Sequence, residues 1–203
     1  MNTPPVFGDA FREELATLMA WRRDVRRFRS EPVPPALLDE LLGLMALSPS
    51  VGHAQPWRVS RIDEAERRAA VQASFARCNA AALAEYEGER AALYARLKLE
   101  GLREAPVQLA VFCDEGTARG HGLGRRTMPE TLAYSVVAAI TQFWLAARAH
   151  GVGVGWVSIL EPEEIARIAG APPDWRLIAY LCVGYPQEAS AVPELVREGW
   201  EGG

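Results

Sequence analysis

Cysteine is scarce and scattered in this 203-residue chain. Cys78, Cys113 and Cys182 stand far apart with no CxxC pair, and Cys113 and Cys182 fall in apolar runs. That argues against a disulfide framework and reads as packed, reduced thiols, with a reducing cytoplasm as the expected compartment. Histidine is equally sparse. His53, His121 and His150 carry neither an HExxH pattern nor a Cys/His ligand spacing, so no metal site is expected. Positive charge of the kind that holds polyanions is missing too: the formal net charge is −4, and nucleic acid is not an expected partner. The N-terminus has acids and arginines where a secretory signal needs a basic start and then an apolar stretch, so export is not expected. The longest apolar segment, Thr131 to Ala149, is interrupted by Tyr134, Ser135, Thr141, Gln142 and Arg148, which suits a buried helix better than a membrane span. Internal repeats and low-complexity tracts are absent. Apolar residues at 49% and charged residues at 24% are those of an ordinary globular protein, and the length suits a single domain over residues 1–203.

Periodicity and punctuation then supply an order of elements. Phe11, Leu15, Leu18 and Met19 recur at helical spacing, predicting a helix from Asp9 to Arg27; "EPVPP" ends it and starts a second, Ala36 to Leu47. "SPSVGHAQP" (Ser48 to Pro56) is a loop, and "WRVSRI" (Trp57 to Ile62) alternates as a half-buried strand does. Asp63 to Gly101, rich in Ala, Glu, Arg and Leu, predicts one or two helices with a break near Glu87-Gly88. "VQLAVFCD" (Val107 to Asp114) is a continuous apolar strand, followed by a long glycine-containing loop, Glu115 to Pro129. A buried helix, Thr131 to His150, a strand, Gly153 to Leu160, a short helix, Glu161 to Gly170, and a final strand, Trp175 to Tyr185, complete the chain. About four strands among more helices, with two helices before the first strand, make an α+β fold and not a regular βαβ series.

Several familiar chemistries lack their signatures. Gly151, Gly153 and Gly155 invite a dinucleotide fingerprint, but that motif needs strand, glycine turn and helix in order, and here the helix comes first. The glycines read instead as a helix cap and a strand that another backbone or a flat ligand approaches closely. "GHGLGRR" (Gly120 to Arg126) lacks the GK[ST] ending of a phosphate loop, and Ser50, Ser135 and Ser158 lack the GxSxG elbow.

What is present in unusual density is "WRRDVRRFR", Trp21 to Arg29, with Asp24 alone among five arginines. On a helix, Arg22 and Arg26 would share one face and Arg23 and Arg27 the next, so like charges would repel unless an anion neutralised them. Arginine forks suit phosphate. The plain alternative is a solvated basic helix end with an Asp24–Arg27 surface pair, and composition does not choose between the two.

"RRDVRRF", "SPSVGHAQPW", "GVGVGWVSIL" and "AYLCVGYP", in this order, resemble the FMN-dependent nitroreductase superfamily. "LKLEGLREAP" (Leu97 to Pro106), "GLGRRTMPETLAYSVVAAI" (Gly122 to Ile140) and "GWVSIL" resemble its branch of 5,6-dimethylbenzimidazole synthases. The resemblance implies a nitroreductase-like fold, with a mixed, mainly antiparallel sheet flanked by helices and a long central helix at a homodimer interface. It also implies two FMN sites, each built from both chains. It places Arg22, Arg23, Asp24, Val25 and Arg26 at the FMN phosphate and ribityl chain, Ser50 and Gly52 at the isoalloxazine of the other subunit's site, and Ser158 at the strand end facing the ring. Leu99 is implied as a further flavin contact and Arg197 as a further phosphate ligand, although Arg197 also reads as a surface helix residue. In this branch reduced FMN is a substrate: with dioxygen it yields 5,6-dimethylbenzimidazole, a part of cobalamin, and erythrose 4-phosphate. The chemistry needs proton transfers beside the flavin, which makes Asp24 and Ser158 the implied catalytic residues. A lid over residues 87–101 and a separate reductase supplying reduced flavin are further implications. The alternatives are an NAD(P)H-dependent flavin or nitroreductase, in which Asp24 only organises the arginines, and a noncatalytic flavin-binding protein.

Overall fold

A computed structural model describes residues 3–202. Its elements run α1 (Asp9–Trp21), α2 (Pro35–Leu44), β1 (Trp57–Arg61), α3 (Ala65–Leu83), α4 (Gly88–Arg96), β2 (Val107–Asp114), α5 (Thr131–Ala149), β3 (Gly153–Val157), α6 (Pro162–Ala169), β4 (Trp175–Gly184) and the one-turn α7 (Glu194–Arg197). Among the described residues four strands form one sheet in the order β1-β2-β4-β3, and each neighbouring pair is antiparallel. The α+β expectation holds, as does the helix break at Glu87-Gly88, where Gly88 takes a φ of +57°.

β2 shows how the core is divided. A strand buried on both faces loses the alternation of apolar and polar residues, and β2 is such a strand. Val107, Leu109, Val111 and Cys113 join Leu38 and Leu41 of α2 and the buried stripe of α5 in one layer. Ala110 and Phe112 join Val71 of α3 and Ile165 of α6 in the other. Helices therefore cover both faces of the sheet. Gln108 is the polar exception in β2. It accepts from Tyr180 Oη at 2.7 Å and donates to the Leu102 carbonyl at 2.7 Å, so its amide is buried without an unpaired group. α5 is long and apolar enough to cross a membrane, but Val136, Ala139, Ile140, Phe143 and Ala147 form its buried stripe against the sheet. Helix α1 differs: none of its residues is buried, and Phe7, Phe11, Leu15 and Met19, spaced by four, are exposed.

The arginine-rich segment departs from the helical expectation. α1 ends at Trp21, and Arg22 is already extended, with φ −71° and ψ 108°. Asp24 bridges Val154 of β3 in parallel, with Val25 N–H donating to the Val154 carbonyl at 3.0 Å, and Phe28 bridges Pro186 beyond β4. This bridge is the parallel component beside the antiparallel sheet. The physical reason is the edge. β3 is an outer strand with open N–H and C=O groups, and pairing them competes with prolonging a helix whose arginines would repel. Phe28, 1% exposed, fixes the far end: its ring lies where a Cβ on Gly101 or Gly184 would sit, within 2.4 and 3.1 Å of ring carbons.

The glycines of β3 make the pairing possible, as the close-approach reading of the sequence requires. A Cβ on Gly155 would fall 2.1 Å from the Val25 carbonyl oxygen, and one on Gly153 would fall 2.8 Å from Val25 Cγ2. Gly155→Ala is therefore expected to destabilise the fold by about 2–3 kcal/mol in urea unfolding, as overpacking does. Gly43→Ala, in α2 with open space at its Cβ, is expected to be neutral or stabilising by up to about 1 kcal/mol. Equal effects of the two changes would contradict the close approach.

Candidate active site

Asp24 is held at both oxygens. The Trp156 N–H donates to Oδ1 at 2.8 Å, and Arg26 Nε donates to Oδ2 at 2.9 Å. Burial pushes its carboxyl above the ordinary carboxylate range, opposed by the Trp156 bond and the Arg26 charge. The Asp24–Arg27 pair drawn from helical spacing does not form. On an extended backbone it is Arg26, two residues on, that reaches Asp24, while Arg27 pairs with Glu194 at 2.5 Å and with Glu188 at 3.8 Å.

The arginines around Asp24 line a cleft with about 590 Å³ of space between its walls, part of it open to solvent. Among the described residues the lining carries six arginines against three carboxylates: Arg22, Arg23, Arg26, Arg27, Arg148 and Arg197 face Asp24, Glu188 and Glu194. On a chain of net charge −4 this is a local positive excess, fit for an anion with several oxygens. Their availability differs. Arg22 lies over the Trp144 ring, 4.8 Å from its centroid. Arg23 donates through Nε to the Ala191 carbonyl at 2.8 Å and through one terminal nitrogen to Arg22 O at 2.9 Å, leaving the other terminal nitrogen. Arg197 is exposed and touches Glu188 only at 3.5 Å. Arg26 is largely enclosed, with Nε on Asp24 and a terminal nitrogen on the Lys98 carbonyl at 2.9 Å.

Val25 lies against Gly153 and Gly155 and lines the same cleft. Ser158 is exposed, just past the end of β3 and two residues beyond the N–H that holds Asp24. Leu99 is half-buried next to Lys98, whose carbonyl Arg26 binds. Ser50 and Gly52 stand elsewhere. Ser50 Oγ accepts from Gln55 N–H at 3.1 Å, and Val51 N–H donates to Ser135 Oγ of α5 at 3.0 Å. Gly52, at φ +54°, is pressed against Gly120 and Leu123, where a Cβ would meet carbonyl oxygens at 3.0 Å. Neither residue lines the arginine cleft within one chain.

Sequence reasoning missed Glu188, Ala191 and Glu194, a strap that supplies acceptors to Arg23 and Arg27. It also missed Trp200, which packs on α4 through Tyr86 and Tyr94, with Arg90 4.4 Å from its ring centroid. No local pattern marks these residues, since each acts on a partner a hundred or more positions away.

The model of the nitroreductase family matches residues 19–185. The chain belongs to the nitroreductase family. It is 55% identical over 201 residues to a 5,6-dimethylbenzimidazole synthase of Rhodospirillum rubrum, covering 99% of this chain and 95% of that protein. A protein of the same name from Rhodobacter capsulatus is 48% identical, over 96% of this chain and 94% of its own. Among solved structures, oxidised iodotyrosine deiodinase bound to FMN and 3-iodo-L-tyrosine superposes with a TM-score of 0.73 at 25% identity, covering 87% of this chain and 91% of that one.

The state of Asp24 leaves a mark on stability. Folded Asp24 keeps its proton to higher pH than unfolded Asp24, so between those two values the folded state binds more proton and stability falls as pH rises. Asp24→Asn has no such loss. The melting temperature of the variant minus that of the wild type is expected to be more positive at about pH 7 than at about pH 4. A difference that shrinks over that range would show that burial does not dominate.

Proposed function

We propose that the protein is a 5,6-dimethylbenzimidazole synthase that consumes reduced FMN and dioxygen. The observation that carries this reading is a half-buried carboxylate, Asp24, bonded at both oxygens inside a cleft with twice as many arginines as acids. The near full-length identity to proteins of that name supports it. Reduced FMN, when bound, supplies the electrons for dioxygen and the carbon skeleton of the product.

The chain's own part is binding, orientation and proton handling. Arg22, Arg23 and Arg197 have guanidinium surface free of tight protein acceptors and would hold the phosphate. Asp24, its carboxyl raised by burial and held at both oxygens beside the cleft, would take and return the proton, as general acid–base catalysis requires. The Ser158 hydroxyl, at the β3 end, would donate to or accept from the ring. Leu99 would pack on the flavin from the segment that touches Arg26. Residues 87–101, which contain α4, would cover the site and keep water out. A covered site leaves little room for nicotinamide, so reduced flavin would come from a separate reductase in the cytoplasm.

Ser50 and Gly52 would reach the ring of a second subunit's flavin, which requires a homodimer. The four-spaced apolar stripe of α1 and the exposed Tyr134 and Val137 of α5 provide a surface for it. Phe11→Asp is expected to give a monomer by light scattering, with FMN affinity at least about 10-fold weaker, because the ring contacts are lost. A wild type that is monomeric and still binds FMN would contradict the shared site.

For the reaction, Asp24→Asn is expected to bind FMN yet lose at least about 100-fold of the dimethylbenzimidazole formed when reduced FMN meets air, followed by mass. Full product yield would remove the proton-transfer role. Wild-type protein that merely returns oxidised FMN would be a flavin carrier, and rapid NADPH oxidation with a nitroaromatic would mark a reductase.

A further inference from the structure

Arg26 is spaced like a phosphate ligand but is placed otherwise. Its side chain is only 12% exposed, and its guanidinium spans two protein acceptors, Asp24 Oδ2 and the Lys98 carbonyl, each at 2.9 Å. The carbonyl belongs to a segment that is stapled to itself. Lys98 Nζ meets Glu104 at 2.7 Å and Glu100 at 3.7 Å, and Leu102 N–H donates to Glu100. Gly101 of the same segment lies against the ring of Phe28, two residues beyond Arg26. We propose that Arg26 is a positioning residue that couples the seating of the 97–104 segment to the setting of the Asp24 carboxylate. This rests on the role of Asp24 given above and names a residue that acts through it.

The coupling follows from which contacts are fixed. Asp24 Oδ1 is tied to Trp156 N–H, in the sheet. Oδ2 is tied to a side chain whose other hold is the seated segment. Seating the segment would fix a positive charge against Asp24, which favours its ionised form, while the burial of the half-enclosed carboxyl favours its neutral form. The two opposed effects keep the carboxyl within reach of both states. The Arg26 charge acts on Asp24 against that of Glu194 of α7, which disfavours ionisation, and Asp24 in turn acts on Cys182 of β4, whose own thiol is kept protonated by burial. Glu100 acts on Cys182 from the segment itself. Among these groups Arg26 is the one whose charge favours the carboxylate.

The test compares Arg26→Gln and Arg26→Lys with wild type, using the full chain without flavin and then with it. The Asp24 carboxyl is followed by carbon-13 NMR across pH, its signal assigned by its loss in Asp24→Asn. In Arg26→Gln its midpoint is expected to rise by about 1–3 pH units, the effect of removing a close opposite charge. Arg26→Lys keeps the charge but not the two-pronged fork, so the midpoint stays within about half a unit while hydrogen exchange of amides 97–102 accelerates about 10-fold. An unmoved midpoint in Arg26→Gln overturns the proposal, and one accompanied by FMN affinity at least about 10-fold weaker assigns Arg26 to the phosphate instead. Unchanged exchange in Arg26→Lys overturns the coupling on its own and needs only the variant that keeps the charge. Product formation decides neither outcome. Its persistence in Asp24→Asn would instead remove the acid–base role on which the proposal rests.

Discussion

The free edge of β3 organises everything else at the site. Because Gly155 has no side chain, the backbone at Val25 can lie against the strand, and the hydrogen bond from Val25 N–H to Val154 O fixes its register. Once that register is set, Asp24 meets the Trp156 N–H and Arg26 turns toward Asp24 and Lys98, while Arg27 faces the strap that carries Glu194. A helix through the same residues would have spread four arginines over two adjacent faces and left Asp24 with a solvated pair worth a few tenths of a kcal/mol. On the edge of a sheet the same acid is half-buried, doubly bonded and raised in proton affinity. Local conformation therefore decides whether this carboxylate is a surface counterion or a group with a function.

The crowded arginines are reconciled by unequal sharing. Arg27 and Arg26 are matched inside the protein by Glu194 and Asp24, and Glu194, with its side chain 9% exposed, is itself nearly enclosed. Arg22, stacked on Trp144, and Arg23, with one terminal nitrogen left over, are not matched by carboxylates. The segment thus divides between arginines matched inside the protein and arginines open to an anion, a division that suits the phosphate of the proposed flavin ligand. The strap from Glu188 to Trp200 links the two halves, since it supplies acceptors to Arg23 and Arg27 and packs Trp200 on α4.

Much of this was legible in the sequence because it is local. The apolar run of β2, the stripe of α5 and the break before α4 follow from periodicity and from single glycines. The close approach at Gly153 and Gly155 was legible too, although which backbone approaches was not. The end of α1 was misread because Phe11 to Met19 sets up a helical period that good helix formers such as arginine continue, while the competing edge lies some 130 residues away. The same distance hid the partners of Arg23 and Arg27. The cleft gathers Arg22, Arg23 and Asp24, which the ordered motifs group together, whereas Ser50 and Gly52 lie in a different part of the same chain.

In the proposed function Asp24 faces the flavin as a working acid and is not merely the counterion of Arg26. The most direct measurement is a crystal structure of the protein with oxidised FMN bound. The account predicts a carboxylate oxygen of Asp24 within about 2.6–3.2 Å of a flavin or ribityl atom, or one water away, with the Trp156 bond kept. FMN seated in the arginine cleft with Asp24 bonded only to Trp156 and Arg26, and no flavin atom or bridging water in reach, would contradict it.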